Sequence, residues 1–129
     1  MNSLKRPRSL TQVADWSDSA RDFDLGVVDF LHHFQQHATR DSIAEEPPLL
    51  ADRFPEGRIA DCYLAAVAVE ISTQLGTPRP AWSQHPRRFS PVPWFASPGP
   101  PMRALLLLES PAGFRERNLF VTANALSVA

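Results

Sequence analysis

Apolar residues recur every three to four positions in two stretches of the chain. In the first, Phe23, Val27, Phe30, Leu31, Phe34 and Ala38 place three phenylalanines on one stripe, which predicts a helix over about 21–39. The pattern stops at EEPPLL, because Pro47 and Pro48 lack an amide hydrogen and force Glu46 toward extended backbone. A loop to about Glu56 is expected. In the second stretch, Gly57 to Leu75, one face carries Leu64, Val67, Ala68, Ile71 and Leu75. A second face of small residues, Cys62, Ala65, Ala66 and Val69, lets another helix come close. A helix apolar nearly all round belongs at the centre of the fold. Gly76 offers a left-handed cap at its end, and Pro78 blocks continuation.

The remaining segments are less regular. Residues 1–20 read as a flexible polar leader with a short amphipathic turn around Leu10, Val13 and Trp16. From Thr77 to Phe95, prolines alternate with Trp82, Phe89, Trp94 and Phe95, which excludes regular helix or central strand and predicts an extended arm. After the hinge SPGPP, MRALLLLE fits either a helix or a buried strand by periodicity. Leucine and alanine propensity, with a proline in the first turn, favours the helix. Ser110 and Pro111 read as cap and first turn of a short helix through Phe114 and Arg115, and Thr122 as the cap of one more turn, Ala123 to Val128. The expected fold is mainly α: one small helical domain over 21–129, with a proline- and aromatic-rich arm and short C-terminal helices.

Composition narrows the function classes. A chain of 129 residues with 43% apolar residues supports one core that buries roughly two thirds of the unfolded surface. A net charge of -1 argues against a general polyanion binder, and Lys5, Arg6 and Arg8 read as a disordered basic tail rather than a DNA arm. Cys62 is the only cysteine, so no internal disulfide can form; its apolar helical setting predicts a buried, inert thiol. No apolar stretch of signal-peptide length follows the basic N-terminus, and Leu105 to Leu108 is too short to span a bilayer. A cytoplasmic location is expected.

Candidate chemistry is sparse. Asp29, His33 and His37 share one helix face, with His32 adjacent, and two histidines one turn apart can share a zinc ion. The general-base glutamate of the HExxH pattern is missing, because Phe34, Gln35 and Gln36 lie between the histidines. A solvated polar face is the simpler reading. Glu45 and Glu46 are adjacent and point apart, as loop charges do. No nucleophile elbow or phosphate-binding glycine loop is present. Neither catalysis, nor metal, nor cofactor is expected. Arg87, Arg88, Arg103, Arg115 and Arg117, with nearby rings, offer nucleic-acid contacts, but no recognition helix stands out. A DNA-binding transcriptional regulator is the second class the sequence leaves open.

The aromatic residues of the arm serve either as lids over the core or as exposed anchors for a partner, whose hot spots favour Trp, Tyr and Arg. The succession AEEPPLL, DCYLAAVAVEISTQLGTPRPAW, RRFSPVPWF and MRALLLLESPAGFRERNLFVTANAL, from about Asp22 to Ala129, carries a family resemblance. It resembles small bacterial proteins found beside a nucleotidyltransferase-like protein, in an arrangement suggestive of toxin–antitoxin pairs. The resemblance implies an antitoxin or accessory protein that masks its neighbour. Arg115 and Arg117 would then enter an acidic cleft that normally handles nucleotide and metal, or else form an ordinary cluster at a helix end. The expected partner-binding set is Trp82, Trp94, Phe95, Phe114, Arg115, Arg117 and Phe120.

Overall fold

The computed structural model of the chain describes residues 6–37, 39–96, 100–123, 125 and 126. Helices dominate, as expected: α1 (Leu10–Asp15), α2 (Ala20–Gln36), α3 (Asp41–Ala44), α4 (Gly57–Leu75), α5 (Pro100–Glu109) and α6 (Ala112–Arg115). The strands β1 (Trp94–Phe95) and β2 (Leu119–Phe120) pair in parallel, with Trp94 opposite Leu119 and Phe95 opposite Phe120. Lys5, Ala38 and hinge residues 97–99 lie outside the described residues, as do 124 and 127–128 of the turn expected over 123–128.

The central position of α4 follows from its two apolar faces. Leu64, Val67, Ala68 and Ile71 are buried, and so are Cys62, Ala65, Ala66 and Val69 on the small-residue face. Against the latter sits α6, so close that a Cβ on Gly113 would press on its neighbours, 3.0 Å from Val69 Cγ1 and 3.2 Å from Ala66 O. On another side Phe23 of the α2 stripe meets Tyr63 edge to face, with centroids 6.0 Å apart. The helix ends where its sequence requires. Gly76 takes φ +68°, its N–H donates to Thr73 O, and the Thr77 N–H donates to Ser72 O at 3.0 Å, so the last carbonyls are satisfied.

The structure revises three expectations. The first 20 residues are not a loose leader from Arg6 onward, because Leu10, Val13 and Ala14 of α1 lie in the core, with Ser9 capping the helix and Arg53 donating to Ala14 O at 2.9 Å. Three apolar side chains at i, i+3 and i+4 bury against α2 what a six-residue helix cannot stabilise alone. The arm is not uniformly extended. It makes two 3₁₀ turns, Ala81–Gln84 and Pro86–Arg88, before β1, since proline's fixed φ suits the first position of a turn. Ser110 does not cap α6, whose cap position is Pro111; its hydroxyl donates instead to Leu119 O at 2.9 Å and so ties α6 to β2.

Candidate functional site

The arm is fastened by two arginines with no exposed surface. Arg88 donates to Pro47 O at 2.6 Å, to Asp61 O at 3.3 Å and to Glu46 Oε2 at 3.2 Å, with Asp61 Oδ1 at 3.8 Å. Asp61 in turn accepts from the Leu50 and Ala51 N–H groups, at 2.6 and 3.1 Å, and so locks the loop after the diproline to α4. Arg117 donates to Ser83 O at 2.5 Å, Gly113 O at 3.0 Å and Glu116 Oε1 at 2.8 Å. Each guanidinium lies over a ring of the arm: Arg88 is 5.0 Å from the Trp82 centroid and Arg117 4.5 Å from that of Phe89. Neither Nε has a hydrogen-bond partner among the described residues, while the ring beside each guanidinium attracts its charge.

The residues expected to bind a partner therefore separate. Phe114 is buried against Tyr63, with centroids 4.9 Å apart, and Arg117 is an interior strut, so neither reaches a partner while the domain is folded. Arg117 faces inward because backbone carbonyls of the 3₁₀ turn and of α6 converge on it, a convergence invisible in sequence. Trp82 is half-buried and donates from Nε1 to Ile43 O at 3.0 Å. Phe120 is buried; Phe95, half-buried, stacks on it at 4.9 Å and has the Arg103 guanidinium over its ring, 5.1 Å from the centroid. Trp94 is half-buried against the core. Arg115 is exposed, with Nη2 donating to Ser110 O at 2.7 Å. Of the five arginines weighed for nucleic acid, Arg88 and Arg117 are thus interior.

What remains at the surface is apolar, and it centres on α5. Met102, Leu105, Leu107 and Leu108 are exposed, Leu108 to 81%, while Leu106 alone among the described side chains of the helix is fully buried. Met102, Leu105 and Leu108 fall three residues apart and form one ridge. The Ser110 tie to β2 and the Arg103–Phe95 contact hold this helix on the strand pair.

A second feature is a groove of about 500 Å³ between α2, the start of α4 and the strand pair, lined by Phe23, Phe54, Tyr63, Trp94 and Val121, among others, with Asp24 and Glu56 at its rim. Burial first, and then the charge of Glu56, pushes the Asp24 carboxyl above its ordinary value. Burial also pushes the Tyr63 phenol up to about 12, with the Asp24 charge adding to it.

On the histidine face, Asp29, His33 and His37 do not form the cluster a metal would need. His33 and His37 stack at 4.7 Å and share a shallow pocket with Arg8 and Asp41, while Asp29 does not line it. Burial, followed by the charges of His37, Arg8 and Arg6, holds His33 below its ordinary value. No group of three metal-ligating side chains comes together among the described residues. Cys62 is buried as expected, and burial followed by the Asp61 charge pushes its thiol up to about 11. No helix of the described residues is long and apolar enough to cross a membrane.

No protein-family model, curated protein or solved structure matches the chain. The site thus rests on its own geometry. Sequence reasoning passed over Asp61, which a closer reading would single out as the lone charge in IADCYLAAVAV. It also passed over the exposed side of α5, because four consecutive leucines say nothing about which of them face solvent.

Proposed function

We propose that the chain is a non-enzymatic protein-binding antitoxin or accessory protein that masks a nucleotidyltransferase-like partner. The observation that carries the protein-binding part is α5, a ten-residue helix with four exposed large apolar side chains, three of them on the Met102–Leu105–Leu108 ridge. Contiguous exposed apolar surface of this kind marks interaction sites. Exposed Arg103 and Arg115 supply rim charges, and the interior placement of Arg88 and Arg117 removes two of the five arginines that a DNA reading would use. The partner's class rests on the sequence resemblance. Contact is thereby assigned to α5 with Phe95 and Arg115, and Phe114, Arg117 and Phe120 act from beneath it.

The test is co-purification with the nucleotidyltransferase-like neighbour, followed by titration with a Leu105→Glu/Leu108→Glu variant. Loss of two apolar anchors should weaken the complex by about 2 kcal/mol or more, while thermal unfolding shows that the variant still folds, as expected with Leu108 81% and Leu105 41% exposed. A folded variant that binds at wild-type affinity rejects the assignment.

A further inference from the structure

The groove between α2, the start of α4 and the strand pair has its own chemistry, separate from the α5 ridge. Its volume of about 500 Å³ falls within the size range of small-molecule sites. Its walls are apolar and aromatic: Phe23, Phe54, Tyr63 and Trp94 face it, with Tyr63 and Phe23 fixed edge to face. Its charged groups are both acidic, because Asp24 and Glu56 line it and no Arg, Lys or His does. Neither carboxylate is ion-paired among the described residues.

We infer that the groove binds a small organic cation, an ammonium group on an apolar body, with Asp24 and Glu56 holding the charge and Phe23, Tyr63 and Trp94 receiving the body. An anion would add to the repulsion between the two carboxylates. A neutral apolar ligand would leave both carboxylates unpaired and gain nothing from their charge. A cation relieves both effects and is attracted as well to the negative faces of the rings. Burial first, and then the Glu56 charge, raises the protonation tendency of Asp24, and a cation beside it would offset both. The inference does not rest on partner docking, since no residue of α5 lines the groove.

The test uses octyltrimethylammonium and octyl sulfate, both below their micelle concentrations, titrated into the full chain by calorimetry, with backbone amide shifts recorded in parallel. The cation should bind at least about tenfold more tightly than the anion of equal chain length. Its shifts should gather at Asp24, Ala60 and Ala96, which line the groove, and leave Leu107 and Leu108 unmoved. Asp24→Asn/Glu56→Gln should erase the preference. Equal binding of the two head groups, no binding of either, shifts gathered on α5, or a folded double variant that keeps the preference would each overturn the inference. The head-group comparison on the wild-type chain decides the matter even where the double variant fails to fold.

Discussion

Arg117→Ala separates an interior strut from an arginine offered to a partner. The side chain has no exposed surface, and its removal strands two buried acceptors, Ser83 O and Gly113 O, that take charge-assisted bonds at 2.5 and 3.0 Å. A buried acceptor left unpaired costs about 1–3 kcal/mol, so the pair costs about 2–6. Loss of the packing on Phe89 adds to this, and release of a buried charge from its desolvation offsets part of it. The expected net loss is about 3–5 kcal/mol, against the roughly 5–15 kcal/mol that holds such a domain together. Arg117→Met restores apolar volume but leaves both carbonyls stranded, so it should recover only a minor share. Arg115→Ala, at an exposed position with one bond to Ser110 O, should cost about 1 kcal/mol or less. Urea unfolding followed by circular dichroism measures all three. A loss below about 1 kcal/mol for Arg117→Ala, together with weakened partner binding, would refute the strut and restore Arg117 to the contact surface.

Gly57→Ala should be far more costly than Gly76→Ala. A Cβ at Gly57 would lie 1.8 Å from Leu50 O, so the loop must move and its bonds to Asp61 break, at about 3 kcal/mol or more, whereas Gly76 has open space and carries only the left-handed penalty of about 1–2 kcal/mol. Cys62, with its thiol raised to about 11, should stay unreactive toward an aromatic disulfide reagent at pH 8 in the native chain and react fully in urea; rapid native labelling would contradict its burial. His33 titrates below its ordinary 6.5 in the folded chain, so the unfolded chain takes up the proton first as pH falls. Stability should therefore decline as pH drops through the mid-6 range and level off once the folded imidazole is also charged; His33→Gln should flatten this slope in urea titrations at successive pH values.

The sequence by itself determined the helices whose apolar pattern outlasts two turns. In α2 and α4 the periodic side chains, the prolines that cannot continue a helix and the glycine that accepts a positive φ are local properties, and local properties are written in order along the chain. For α5 propensity chose helix correctly, since leucine and alanine lose little freedom there. Tertiary structure decided the rest. Six residues of α1 are helical because Leu10, Val13 and Ala14 find the core, not because so short a segment is stable alone. Arg88 and Arg117 read as surface charge until carbonyls from segments dozens of residues away surround them, and a buried charge is tolerated only where such partners converge. The α5 ridge and the acidic rim of the groove are equally nonlocal. Which leucine meets water, and whether Asp24 faces Glu56, depends on how α2, α4 and the strand pair pack, and no spacing within a single segment encodes that.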